Sequence, residues 1–483
     1  MKIWINKTTY SVPSSDFSNA LVFNMLDENP KSNLKTNFEE IWRRFSKQNV
    51  ESIYEDFLVF AASVYATDKR VPRSSSITGS ETKDNWTRKL ELCVPVLNLH
   101  RWLSVKGKLE KALNFLSGDI WTLTFRETEE RYRDLEYRKK YHLINAKFDG
   151  VCLFSGGLDS FSGAIKLLQD GKNICFVGCM EYNQLNNRIL ELYQLVKQTY
   201  NNVNSDIIVF STNPKVPDNI DDDFKSRFTE NTSRSRSLLF IAGAIATASL
   251  IGNNVPMYIP ENGFIGLNIP LTQSRLGSCS TRTTHIFLVH LLNDVLHGLG
   301  IPHKIENFYA YKTKGEIVEE IKDTKPFLEG AGRTISCSHP TQGRIDGAPV
   351  PINCGYCFPC LIRRASLHKV GYCTDSYLDS YNSNYKLSTA FIKKYYSSDS
   401  GRAKDLKAIL VALRRYLQNS NNDFFMKEMI KLGGLSIDDI KQFNQVYIKS
   451  MEELKNMIIS QAQKNDLELL NYVGIEVENG KTD

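Results

Sequence analysis

Val151-Cys152-Leu153-Phe154-Ser155-Gly156-Gly157-Leu158-Asp159-Ser160 reads as a buried strand that turns through two glycines into a helix. Val151 to Phe154 are continuously apolar, as in a strand covered on both faces. Gly156 and Gly157 permit backbone angles that a side chain forbids and let a ligand approach the main chain. Phe161, Ala164, Ile165 and Leu168 then recur at helical spacing. The first turn of such a helix offers free N–H groups and the positive end of the dipole, which suit an anion. Ser155, Ser160 and the Asp159 carboxylate frame the same turn, the carboxylate being suited to a metal carried on phosphates. No Lys follows the glycines, so this is not a GxxxxGK[ST] phosphate loop. An ordinary glycine turn is the bland alternative; the full string in strand–turn–helix context favours nucleotide binding.

The totals bound the rest. A chain of 483 residues has room for two to four domains. The net charge of +6, set by 60 basic and 54 acidic residues, is too small and too mixed to point to nucleic acid as a partner. Met1 to Asn6 reads as a short strand and not as a signal peptide. The longest apolar run, Leu238 to Ile251, is too short to span a bilayer. A cytoplasmic protein without a membrane partner is the expectation, and the ten cysteines then need a role other than disulfides.

Three regions are expected: 1–145, 146–372 and 373–483. The first holds all five tryptophans, Trp4, Trp42, Trp86, Trp102 and Trp121, which suggests an α+β domain with a core of its own and a possible partner-binding role. Helical faces are read at Phe38, Ile41, Trp42 and Phe45 and at Ile53, Phe57, Ala61 and Val64; strands at 90–96 and 121–125. The second alternates strands at 151–154, 174–177, 207–210 and 256–259 with helices at 160–169, 188–200, 236–251 and 283–298. That order predicts a parallel α/β sheet with helices on both faces and ligands beyond the strands' carboxyl ends. Four polar segments are expected at that rim: Ser155–Ser160, Tyr182-Asn183-Gln184, Ser211-Thr212-Asn213 and Glu261-Asn262-Gly263.

Two basic stretches follow. Ser233-Arg234-Ser235-Arg236-Ser237 precedes a buried helix, so that Arg236 can face an anion; a serine-capped helix start is the alternative. Tyr311-Lys312-Thr313-Lys314-Gly315-Glu316-Ile317, which carries Lys314, reads from its residues alone as a capped, exposed helix start. Cys354-Gly355-Tyr356-Cys357-Phe358-Pro359-Cys360 carries three thiols at x2 spacing, and Cys337 returns a fourth. Four sulfurs suit a structural Zn2+ better than an iron–sulfur cluster. His339 is a reserve ligand, Arg363 and Arg364 are candidates to reach the active site, and the other six cysteines read as buried thiols. The last region reads as a helical extension, with a stripe at Leu406, Ile409, Leu410, Leu413 and Leu417 and a capping box at Ser450-Met451-Glu452-Glu453.

SGGLDS resembles the loop of the PP-loop ATP pyrophosphatases, and Lys314 lies in a stretch similar to their downstream TKxEI segment. With the Cys-(16)-Cys-Gly-x-Cys-x2-Cys pattern the chain resembles, over about residues 148–372, the QueC-like 7-cyano-7-deazaguanine synthase family. The resemblance implies a doubly wound, adenine nucleotide alpha hydrolase-like PP-loop fold. It places ATP and Mg2+ on Phe154, Ser155, Gly156, Gly157, Leu158, Asp159 and Ser160, with Asp159, Lys314 and Arg236 catalytic, and Zn2+ on Cys337, Cys354, Cys357 and Cys360. The family's Gly-Tyr-Pro-Asp-Cys substrate segment has no counterpart; residues 261–268 stand in its place. The flanking regions resemble those of the QatC family of four-component anti-phage systems. That implies a defence ligase that adenylates a 7-deazaguanine carboxylate and passes it to an amine, such as the N-terminus of a companion (QatB-like) subunit. Nitrile synthesis with ammonia, modification of RNA, and a non-catalytic scaffold are the alternatives.

Overall fold

The computed structural model describes residues 1–26, 31–73, 87–132, 141–180, 183–217, 219–220, 222–230, 234–267, 282–338, 340–341, 351–372, 401–418, 423–432, 434–461 and 467–475. Trp86, Tyr182, Ser233, Asn268, Cys279, His339 and Cys373 lie outside them.

Among the described residues, ten strands form two sheets. The first contains β1 (Lys2–Asn6), β2 (Leu21–Asn24), β4 (Lys89–Val96) and β5 (Ile120–Glu127) in the order β2-β1-β4-β5. All its pairings are parallel, and the helix Leu99–Ser117 makes the crossover from β4 to β5. The α+β expectation for this region is thus corrected to α/β: the strands at 90–96 and 121–125 pair side by side through a crossover, not through a hairpin.

The second sheet runs β10-β9-β6-β7-β8-β3. β6 (Gly150–Leu153), β7 (Ile174–Met180), β8 (Ser205–Pro214), β9 (Met257–Tyr258) and β10 (Ile305–Glu306) are parallel, and β3 (Leu34–Thr36) joins the edge antiparallel to β8. The chain leaves β6 towards β7 and β8, then returns through the helix Arg236–Ile251 to place β9 on the other side of β6. Side chains sort by face. Val151, Cys175, Val177, Ile208, Phe210 and Met257 pack with Leu239, Ala242 and Ile245 of that helix. Cys152, Phe154, Ile174, Phe176, Ile207 and Tyr258 pack with the helices Leu158–Gln169 and Asn183–Thr199. Both faces are covered, which is why the strands read as unbroken apolar runs.

The tryptophans do not enclose a core of their own. Trp42, Trp102 and Trp121 belong to one apolar cluster that extends from the first sheet to Ile208 and Ile305 of the second. The helix Ser52–Arg70 lies between the layers, against both β4 and the helix Arg236–Ile251, and is therefore buried on nearly every side.

The described C-terminal helices, Gly401–Gln418, Asp423–Leu432, Ile437–Gln461 and Leu467–Val473, bury Leu406, Ile409, Leu410 and Leu413 against their neighbours and against Phe264, Phe358 and Leu361. The expected capping box at Ser450 is not one. Ser450 is inside a continuous helix, because Val446, Tyr447, Met451, Leu454, Met457 and Ile458 carry one apolar stripe straight through it. Among the described residues no helix is long and apolar enough to cross a membrane.

Candidate active site and metal centre

The strand order reverses between β6 and β9, and the loops that follow these two strands meet there. Such a reversal opens a crevice at the carboxyl ends of a parallel sheet. A cleft of about 390 Å³ occupies it, lined by Ser155, Gly157, Asp159, Arg236, Glu261 and Lys314 among others. Gly156 has φ +78°, a conformation natural to glycine, and a Cβ there would meet Ile189 Cγ1 at 3.1 Å. The turn's amides point at hydroxyls: Ser155 N–H donates to Ser160 Oγ at 3.2 Å, Gly157 N–H to Ser155 Oγ at 3.4 Å and Leu158 N–H to Ser336 Oγ at 3.2 Å. Gly157 stands at the N-cap of the helix Leu158–Gln169, so its dipole points into the cleft.

Asp159 is the electrostatic centre. Its Oδ2 is 3.0 Å from Lys314 Nζ and accepts from Asn262 Nδ2 at 2.8 Å. Burial disfavours its charge, but the Lys314 ammonium and the hydrogen bonds from Glu261, Asn262 and Lys314 outweigh that and hold its pKa below the usual range. Glu261 goes the other way. Burial first, then the Asp159 charge, raise its pKa well above 4.5. Asp159 Oδ1 has no hydrogen-bond partner among the described residues, and the Glu261 carboxyl, shifted towards its neutral form, stands beside Asp159. A neutral Glu261 and the Lys314 ammonium would let the two carboxyls stand together.

A stability test follows from the sign of these shifts. The raised Glu261 pKa contributes stability that is complete below the ordinary carboxyl range and lost as pH rises towards the folded-state pKa. Asp159, with its lowered pKa, contributes stability above its unfolded value and loses it only in stronger acid. Glu261→Gln, which keeps a neutral group at this position, is expected to flatten the loss of stability between weakly acidic and neutral pH. Urea midpoints measured across that range check it, and parallel curves for the two proteins would refute the neutral Glu261 carboxyl.

The two basic stretches resolve differently. Lys314 is the first residue of the helix Lys314–Glu319, which has the capping box of Thr313 and Glu316. The helix start is capped, as one alternative held, yet Lys314 is buried and reaches Asp159. Arg236 lines the cleft, with its guanidinium 5.0 Å from the Phe240 ring centre. Arg234 turns away and donates to Ser117 O at 2.7 Å.

Of the four polar segments expected at the rim, Ser155–Ser160 and Glu261 line the cleft. Ser211, Thr212 and Asn213 do not form a loop; they belong to β8, and Thr212 and Asn213 pair with β3. Asn183 and Gln184 open the helix Asn183–Thr199. Thr283, Thr284, Ile335, Ser336, Cys337 and Pro359 also line the cleft. Glu261 was legible as a polar residue after an apolar strand, but its partnership with Asp159 was not.

Cys337, Cys354, Cys357 and Cys360 come together with all four sulfurs within 4.8 Å of one another. Cys337 and Cys357 Sγ are 3.8 Å apart, Cys354 and Cys360 Sγ 3.9 Å. Four sulfurs at about 2.3 Å from one zinc in a tetrahedron stand about 3.8 Å apart, and these two separations match that spacing. None of the four is in a disulfide. Burial, then the neighbouring thiols, push Cys357 and Cys360 well above the ordinary thiol range; a cation is what allows four sulfurs to be thiolates there. Asn353 joins the two segments: it accepts from Ser336 N–H and donates to Thr334 O, each at 3.0 Å. Amides of Cys354 and Cys357 donate to Cys337 and Cys354 Sγ, each at 3.4 Å. Arg363 and Arg364, expected near the active site, instead brace this unit. They are buried and donate to Ala331 O at 3.0 Å and Gly355 O at 2.9 Å, because the helix Phe358–Lys369 turns them inward.

The four-cysteine cluster also adjoins the glycine turn. Ile335 N–H donates to Gly156 O at 3.0 Å and Ser336 accepts from Leu158, while Cys337 and Pro359 form part of the cleft wall. No protein-family model matches this chain, and no curated protein matches it.

Proposed function

We propose that the protein is a PP-loop ATP pyrophosphatase of the QueC-like type, a carbon–nitrogen ligase that forms AMP and pyrophosphate. The observation that carries this reading is the meeting, at the reversal point of a parallel sheet, of the SGGLDS turn with the Lys314–Asp159 pair and Arg236. Preorganised amides and cations around an anion-sized turn are what phosphoryl-centre chemistry needs.

In this reading a substrate carboxylate oxygen attacks the α-phosphorus of ATP. The P–O bond to the β-phosphate breaks and pyrophosphate leaves with the electron pair. The amides of residues 155–158 take the pyrophosphate in place of the serine hydroxyls. Lys314 and Arg236 offset the charge that develops between the phosphates. Asp159 would hold Mg2+, which supplies further charge neutralisation when bound. An amine then attacks the acyl carbon, loses a proton and expels AMP.

Substrate and setting come from the resemblance: 7-carboxy-7-deazaguanine, an amine acceptor on a companion (QatB-like) defence subunit, and a role against phage. The cleft's apolar wall of Leu153, Phe240, Ile259, Pro260 and Ile265 beside polar Thr283 and Thr284 suits a flat, polar-edged heterocycle. Incubation with ATP, Mg2+, the deazaguanine acid and candidate amines tests the reading. AMP and pyrophosphate are expected, with a mass gain on the acceptor protein; formation of ADP alone would overturn it. Ammonia as the productive amine would instead make the product an amide or nitrile.

A further inference from the structure

Two cations face the cleft, and each is the first residue of its helix. Arg236 follows Ser235 at the start of Arg236–Ile251, and Lys314 follows Thr313 at the start of Lys314–Glu319. In both cases the hydroxyl one residue earlier donates to a carboxylate, buried Asp68 or half-buried Glu453, carried by a part of the chain outside the central sheet. Ser235 Oγ donates to Asp68 Oδ2 at 2.9 Å, and the Ser235 amide donates to the same oxygen at 3.0 Å. Thr313 Oγ1 donates to Glu453 Oε1 at 2.6 Å, and the Gly315 amide donates to Oε2 at 3.3 Å. Asp68 belongs to the helix Ser52–Arg70 of the N-terminal region and Glu453 to the helix Ile437–Gln461 of the C-terminal one.

Both carboxylates are themselves held. Asp68 Oδ1 accepts from Arg88 Nη2 at 2.6 Å, and Arg88 also reaches Asp119 at 2.6 Å. Glu453 lies 3.4 Å from Lys369 Nζ, which is 2.9 Å from Glu319. The fit at Glu453 is close: a Cβ on Gly315 would come within 2.2 Å of its Oε1. Glu453 also fixes the capping hydroxyl. With its proton directed to Glu453, Thr313 Oγ1 keeps a lone pair for the Glu316 amide at 3.0 Å. Neither Asp68 nor Glu453 lines the cleft.

We infer that Asp68 and Glu453 are positioning residues. Each anchors the backbone one residue before a cleft cation and so sets where Arg236 and Lys314 stand. The N-terminal and C-terminal regions are then parts of the site itself. A cation displaced by about 1 Å in such a site loses about a hundredfold in rate.

The test uses the full-length protein. Lys314 acetylation by acetic anhydride and Arg236 modification by phenylglyoxal are followed by peptide mass spectrometry, beside kcat and KM for AMP formation. Glu453→Ala is expected to raise Lys314 labelling several-fold and to lower kcat about tenfold or more, with KM for ATP within about twofold. Glu453→Gln, which keeps acceptor oxygen for Thr313, is expected to restore most of both. Asp68 replacements strand Arg88, so Ser235→Ala is used there and is expected to raise Arg236 labelling. If Glu453→Ala does not fold, Thr313→Val removes the same contact and carries the same expectation. Folded variants with unchanged labelling and kcat would overturn the inference. Its activity arm rests on the ATP reading, but its labelling arm does not. Labelling that shifts while the wild type forms no AMP supports the positioning roles and refutes the ATP reading.

Discussion

Asp159→Asn is expected to lower AMP formation by at least about 10³-fold, because it removes the one charge that organises the cleft. Asp159 Oδ2 holds Lys314 Nζ at 3.0 Å and Asn262 Nδ2 at 2.8 Å. An amide can accept from only one side and carries no charge to balance a buried ammonium. Breaking a buried pair from one side costs about 3–5 kcal/mol, so the variant is also expected to unfold at lower urea concentration. The two effects separate by experiment: single-turnover AMP formation is measured on protein shown to be folded. Lys314→Met makes the complementary test. It leaves Asp159 and Glu261 facing each other without their cation, and the same loss of AMP formation is expected at neutral pH. A folded Asp159→Asn protein that retained a tenth of wild-type turnover would remove Asp159 from the chemistry.

Cys360→Ala is expected to take the bound zinc from one per chain to nearly none and to destabilise the protein by an amount on the order of several kcal/mol. Cys360 is fully buried and its sulfur stands 3.9 Å from that of Cys354. The three remaining thiols leave the fourth position of the tetrahedron without its sulfur. The consequence extends beyond the metal, because Ile335 and Ser336, immediately before Cys337, bond to Gly156 and Leu158. Weaker nucleotide binding is therefore expected together with the lower unfolding temperature. Elemental analysis and thermal unfolding of the purified variant measure both. A wild-type protein free of metal, with a mass lower by the hydrogens of two disulfides, would refute the centre.

The legible parts of the site were those in which chemistry is carried by neighbours in sequence. A strand, two glycines and a helix start make a tight turn with free amides, and three cysteines at x2 spacing come together with Cys337. The alternation of strands and helices over 150–300 likewise predicted the parallel sheet, since each buried strand had no polar face to offer solvent. What misled were local patterns whose meaning depends on distant partners. Ser211-Thr212-Asn213 reads as loop chemistry, yet β3 arrives from the N-terminal region and pairs with it. Ser450 and Glu453 match a capping box, but the helix does not begin there, and Glu453 bonds to Thr313 and Gly315 instead. The tryptophans marked a core correctly but not its extent, because the helix Ser52–Arg70 is shared between two layers.

By itself the sequence determined the turn at 155–160, the four cysteines that cluster, the parallel α/β class and the positions of most helices. Backbone freedom, spacing and apolar periodicity act over a few residues and need no partner to be read. Only the tertiary structure decided that Glu261 stands beside Asp159, that Lys314 is buried against it, that Arg363 and Arg364 turn to the metal loop, and that Asp68 and Glu453 hold the helices of the two cleft cations. Those relations depend on which strand lies beside which and on how the layers pack. Both are set by burying apolar surface across the whole chain, and no single stretch carries that information.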